Sequence, residues 1–367
     1  MNVTLSFALQ YIQKLDDLHE TLQLQGILFT EWTDERLVWI PEAYNNTKVV
    51  YAAADTVWRP ELVVANPSKT LQFLGDEISR LLTKHSYNGV AQWSVADVFH
   101  CTCSVDLTSF PWDIQTCTLE FTVWAYKVHE IQLIAWPAII DLNQFETNGQ
   151  WILLSKRVYT KYHPVKSVLA FEFVLKRRPL FFVVNILLPI VSFSVLNLAV
   201  FIIPIDSGER ISFSLTLLLS IGVFLTLISA NLPPNAETMA SICYFLFFVM
   251  VQSTVICLLN IISIKLYFKA NDESAPNKAW NRCFMLCNTI KCCFQKKITT
   301  GKEETPEDAS DQTDDACMNH SEFNDKTQRS CSWKDISKMA DQTFLVVMII
   351  FLVFAFSMFT FHAYNGI

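Results

Sequence analysis

Between residues 209 and 230 one acid, several hydroxyls and a few branched apolar side chains recur every three or four positions. They are Glu209, Ser212, Thr216, Leu219, Val223, Thr226 and Ala230. At 3.6 residues per turn this spacing puts them on one face of a helix. The segment around them, 209–232, is apolar overall and long enough to cross a hydrocarbon core. Two readings stand on the residues alone. The Ser and Thr hydroxyls can close hydrogen bonds to their own backbone or to neighbouring helices. Alternatively, a ring of such helices encloses water, with a carboxylate ring at one mouth, then hydroxyl rings, and an apolar constriction at Leu219 and Val223. Those are the parts of a selective, dewetting gate.

No other constellation points to enzymatic chemistry. There is no Ser-His-Asp pattern, no metal-ligand spacing and no phosphate loop, so neither a cofactor nor a metal is expected. The net charge of −7 and the lack of a long basic run set nucleic acid aside as a partner. Eleven cysteines fall into groups. Cys101, Cys103 and Cys117 lie in the first half, and Cys243 and Cys257 within an apolar run. Cys283, Cys287, Cys292 and Cys293 cluster beyond it, followed by Cys317 and Cys331. The cluster matches no zinc pattern well, so metal ligation, lipidation and plain free thiols all stand.

These residues need elements to hold them. Hydrophobic residues make up 51% of the 367 and charged residues only 17%, well below the roughly 25% usual in a soluble domain. The excess is concentrated. Segments 180–203, 209–232, 239–266 and 343–363 read as four membrane spans. Pro189 sits inside the first, and Gln252 and Asn260 in the third are expected to face protein. Residues 299–330 are rich in Asp, Glu, Thr and Ser and read as disordered. Residues 332–342 are able to extend the last helix. The first half alternates in short segments such as Val3–Phe7, Leu22–Leu24 and Leu169–Val174, the pattern of a β-sandwich. Met1 leads straight into strand-like sequence with no visible signal peptide. Asn2 and Asn45 begin Asn-x-Thr glycosylation acceptors, which suits an extracellular domain.

Cys103 and Cys117 enclose thirteen residues that include Phe110, Pro111 and Asp113. This stretch resembles the signature loop of the Cys-loop pentameric ligand-gated channels. Asp206-Ser207-Gly208-Glu209-Arg210-Ile211-Ser212 resembles the start of the pore helix in the nicotinic branch. Trp32-Thr33-Asp34, Trp58-Arg59-Pro60-Glu61 and Arg178-Pro179-Leu180 fall in family order. The resemblance implies a β-sandwich extracellular domain plus a four-helix transmembrane bundle, with the Cys103–Cys117 disulfide. It implies a plasma-membrane, multi-pass subunit whose N-terminal domain is extracellular, and a pentamer formed with four further subunits, homomeric or heteromeric. The boundaries are 1–177 for the sandwich, 178–267 for three helices, 268–341 for a partly disordered cytoplasmic insert and 342–367 for the fourth helix and a short tail.

By resemblance, the Glu209-to-Ala230 stripe lines the pore, and five copies of Glu209 favour monovalent cations. Arg210 is expected to point away from the pore, and Ala230 replaces the family's outer acid. An aromatic cage for a small extracellular agonist is implied at Trp124, Tyr126, Tyr159 and Tyr162, with Trp93 from the complementary face. Ala65 and Ile27 stand where the family has a tyrosine and a tryptophan, and the capping loop lacks its cysteine pair. A larger amphipathic ligand, or an accessory non-conducting role in a hetero-pentamer, are the alternatives. Coupling of the sandwich to the membrane half is expected through Asp17, Phe110, Pro111, Asp113 and Arg177, with an Asp17–Arg177 pair and the linker 232–238.

Overall fold

The computed structural model describes residues 1–76, 81–229, 240–269 and 333–365. Ten strands precede the helices: β1 (Asn2–Asp16), β2 (Thr21–Val38), β3 (Val49–Ala53), β4 (Leu62–Val64) and β5 (Leu82–Ser86) come first. Then follow β6 (Asn88–Thr102), β7 (Ile114–Val123), β8 (Gln132–Asp141), β9 (Trp151–Lys161) and β10 (Val168–Arg177). They form a six-stranded sheet in the order β3-β5-β6-β2-β1-β8 and a four-stranded sheet in the order β4-β7-β10-β9. All described pairings are antiparallel except β1 with β8.

The alternation that predicts strands also builds the core. Val3, Leu5, Phe7 and Leu9 of β1 all point inward. A register shift between Leu9 and Tyr11 then moves the buried set to Ile12, as an extra residue in one strand must. Phe7 and Phe99 from one sheet meet Phe121 and Phe171 from the other, with ring centroids 5.5–6.4 Å apart. Edge-to-face and tilted contacts of this kind add to the area the rings bury. Gly26 is fixed by this packing, since a Cβ there would lie 2.5 Å from the Phe7 ring and 2.6 Å from the Ala8 carbonyl.

Four helices follow, here α1 (Leu180–Phe201), α2 (Arg210–Ser229), α3 (Ser241–Phe268) and α4 (Trp333–Asn365). Each is long and apolar enough to cross a membrane. Helix α1 widens into a π turn at Val183–Leu187, just before Pro189. Proline has no N–H and crowds the carbonyl four residues back, and a widened turn relieves both problems. Gln252 and Asn260 of α3 are buried, and the Gln252 amide donates to the Met348 carbonyl at 3.2 Å.

Helix α4 starts at Trp333, nine residues before the boundary drawn at 342, so the stretch 332–342 does extend the last helix as its sequence allows. Trp333, Ile336, Ser337 and Asp341 form a buried stripe at helical spacing, so the turns before the apolar run are held by packing. The insert cysteines and the linker 232–238 lie outside the described residues. The described residues divide into two compact units, one containing Met1–Leu188, Leu225–Phe245 and Met358–Ile367, the other Pro189–Phe224 and Leu246–Ser357.

Candidate functional site

Helix α2 separates its faces sharply. Arg210, Ser214, Leu217, Ile221 and Ile228 are buried, whereas Ser212, Thr216, Leu219, Val223 and Thr226 are all exposed, Leu219 by 69%. Glu209 stands one residue before the helix, side chain exposed, and its carbonyl accepts the Phe213 N–H at 3.0 Å. A carboxylate at this end is favoured by the helix dipole. Gly208 supplies the left-handed turn, φ 74°, that ends the preceding short helix. The Thr216 hydroxyl donates to the Ser212 carbonyl and Ser220 to that of Thr216, both at 2.8 Å. Both structural readings of the hydroxyls therefore meet in one geometry. Their protons turn into the helix, and the oxygen lone pairs remain for a solute. Arg210 is turned to the other side, bonded to Asp341 at 2.9 Å and to the carbonyls of Ile203 and Phe201 at 2.5 and 3.1 Å. Ala230 lies outside the described residues.

In the sandwich, β4, β7 and the β9–β10 loop enclose a cleft of about 280 Å³. Ala65, Glu120, Trp124, Lys161, Tyr162 and Lys166 are among its lining residues. Trp124 is 46% exposed, and the Lys166 ammonium sits 3.9 Å from its ring centroid. Lys161 bonds Glu120 at 2.7 Å, which holds its pKa above the ordinary lysine value. His163 Nδ1 accepts the backbone N–H groups of Val165 and Lys166 at 3.2 and 3.0 Å, so a neutral ring carries its proton on Nε2.

Of the aromatic residues expected here, the structure brings Trp124 and Tyr162 together with Ala65. Tyr126 turns inward, its hydroxyl accepting the Trp58 indole N–H at 3.1 Å. Tyr159 is exposed on β9 but does not line the cleft. Ile27 and Trp93 lie on the other sheet. Trp93 presents no open aromatic face, being 2% exposed with the Arg59 guanidinium 5.3 Å over its ring. A second hollow of about 560 Å³ opens on that sheet, and Trp93 is among its lining residues, with Phe29, Glu31, Tyr51, Gln92 and Trp136. Sequence reasoning passes over Lys166, Phe29 and Trp136. The position of Phe29, two residues from Ile27 and so on the same strand face, was the available signal.

At the other end of the sandwich, Arg177 is 4% exposed. It grips both oxygens of Asp113, at 2.8 and 3.0 Å, and reaches Asp17 at 2.8 Å. The rings of Trp151, Phe110 and Phe182 surround its guanidinium at 4.3, 5.1 and 5.5 Å. Burial works against the charge, but the bonds to Asp113 and Asp17 outweigh it and raise the pKa. Pro111 follows Phe110 through a cis peptide bond, and the Ser241 N–H donates to the Thr108 carbonyl at 3.3 Å. Cys103 and Cys117 are joined, while Cys101 is buried as a free thiol pushed up to about 12 by burial and then by the Glu120 charge. Asn2 and Asn45 are both exposed.

Two family models match this chain. Residues 1–179 match the neurotransmitter-gated ion-channel ligand binding domain, and residues 186–332 match the neurotransmitter-gated ion-channel transmembrane region. The chain belongs to the neurotransmitter-gated ion-channel family. Members are receptor channels rather than enzymes, so the sandwich is the extracellular ligand-binding domain and the helices are the membrane-spanning part of a plasma-membrane subunit. Among similar family members is a goldfish (Carassius auratus) neuronal acetylcholine receptor subunit, non-alpha-2. It is 29% identical over 292 residues, covering 78% of this chain and 62% of the relative. The Xenopus laevis acetylcholine receptor subunit delta is 30% identical over 307 residues, covering 78% and 58%. Rat neuronal acetylcholine receptor subunit alpha-6 is 27% identical over 275 residues, covering 73% and 55%. The chain thus spans 55–62% of the length of these relatives.

Proposed function

We propose that this chain is one subunit of a pentameric, cation-selective channel opened by an extracellular ligand bound where subunits meet. The reading is carried by the exposed stripe of α2. One continuous face holds Glu209, Ser212, Thr216, Leu219, Val223 and Thr226, and the chain's only cation at that helix start, Arg210, is turned away and neutralised by Asp341. Five such faces around an axis put carboxylates at the entrance and outward-facing oxygen lone pairs beyond it. Both attract cations and repel anions. Leu219 and Val223 form the apolar constriction. Trp124, Tyr162 and Ala65 line the subunit's own part of the agonist site. Arg177, with Asp113 and Asp17, holds the Phe110–Pro111 loop and passes sandwich movement to the membrane half.

A test is current recording from the chain expressed alone, under a panel of choline esters, biogenic amines, amphipathic ligands and small carboxylates. A carboxylate about 8 Å from an ion contributes about 1 kcal/mol even at an effective dielectric of about 40. Glu209→Gln removes five of them, so the sodium-to-chloride permeability ratio should fall by about tenfold or more. An unchanged ratio defeats the charge-ring reading. Surface expression without current under the whole panel favours the accessory role instead.

A further inference from the structure

We propose that the cation place on Trp124 is filled from within by Lys166, so that the cleft takes a ligand with an anionic head, such as a carboxylate, rather than an ammonium. This rests on reading the cleft as the agonist site. A cation is attracted to an indole face within about 6 Å of its centroid. Lys166 is at 3.9 Å, inside that range. Its backbone is held, since its N–H donates to His163 Nδ1 at 3.0 Å and β10 begins two residues later. No carboxylate lies within ion-pairing distance of Lys166 among the described residues.

The charges of the cleft lean the same way. Glu120 is the single acid among its lining residues, and it is engaged by Lys161 at 2.7 Å. The Lys161–Glu120 pair cancels, which leaves the Lys166 ammonium uncompensated. His163 adds a second donor, because its Nδ1 is occupied as an acceptor and its neutral ring must donate from Nε2. An incoming ammonium meets a ring already covered and a like charge beside it. A carboxylate meets an ammonium with no acid of its own. The small Ala65 side chain leaves space for an apolar body attached to that head.

Titration calorimetry on the purified full chain tests this with two compact probes of opposite charge, benzoate and tetramethylammonium. Lys166→Gln should tighten tetramethylammonium by about tenfold and weaken benzoate by a similar factor. Lys166→Arg, which keeps the cation, should keep the original preference. Trp124→Ala separates this proposal from the reading beneath it. If Trp124→Ala abolishes probe binding while Lys166→Gln changes neither affinity, the cleft stands as a ligand site and the built-in cation is refuted. If Trp124→Ala moves neither probe in either background, both readings fall together.

Discussion

Arg177 concentrates more compensating partners than any other side chain described in the sandwich: two carboxylates and three aromatic rings around one guanidinium. Asp113 is 2% exposed, so removing the arginine strands a buried carboxylate, a loss of about 3–5 kcal/mol. Arg177→Ala should therefore abolish surface expression. Asp17 is the gentler probe, because it is partly exposed and makes a single bond to the arginine. Asp17→Asn should leave expression intact and shift the half-maximal ligand concentration about fivefold, the equivalent of about 1 kcal/mol. Normal expression with an unshifted response would mean that the pair holds structure only. An Asp17–Arg177 contact was expected from the family resemblance alone, since the two lie 160 residues apart in sequence. The rest of the enclosing box was not, because Trp151 and Phe182 come from distant segments and no spacing rule connects them to Arg177. Lys166 was hidden for a similar reason: a cation placed on a ring depends on how a loop closes.

At the scale of elements, α2 is the best-read helix, because period and length together pick out the stripe that the structure leaves exposed. What fastens its first turn was not readable, since Asp341 lies 131 residues away in sequence. There Arg210 bonds Asp341, and the Ser263 hydroxyl donates to the same carboxylate at 2.5 Å, so α2, α3 and α4 share one buried polar cluster. Asp341→Asn leaves a buried guanidinium without its counter-charge and should destabilise by about 3–5 kcal/mol, seen as a lower melting temperature in detergent. The double substitution Arg210→Met with Asp341→Leu should recover most of that loss. If the double variant is no better than the single one, the cluster acts through hydrogen bonds other than the ion pair. The same cluster fastens the turns of α4 ahead of its apolar run, within the stretch 332–342 read as able to extend that helix.

For the whole molecule, acid is the revealing variable. Burial lowers the pKa of His85 and of His100, so the folded chain keeps both neutral to a lower pH than the unfolded chain does. Their contribution is complete above the ordinary histidine range near 6.5. It declines as pH falls toward the folded values, by at most about 1.4 kcal/mol per pH unit for each. Melting temperatures measured from pH 8 to 5 should drop, and His85→Phe should flatten the profile. A slope identical in that variant would remove His85 from the account. The sandwich, its alternation and the four spans were all visible as pattern. The inward turn of Tyr126 was not, because its hydroxyl meets the indole N–H of Trp58, 68 residues away in sequence.

The thiol of Cys101 has a practical consequence. Because it stays protonated through the whole usable pH range and is sealed inside the strands, thiolate-seeking reagents in the outer bath will not register it. With Cys103 and Cys117 tied to each other, the described sandwich is chemically silent toward such labels. A reporter cysteine placed at Tyr162 or Ala65 can then be tagged selectively, without first stripping the native ones from that domain.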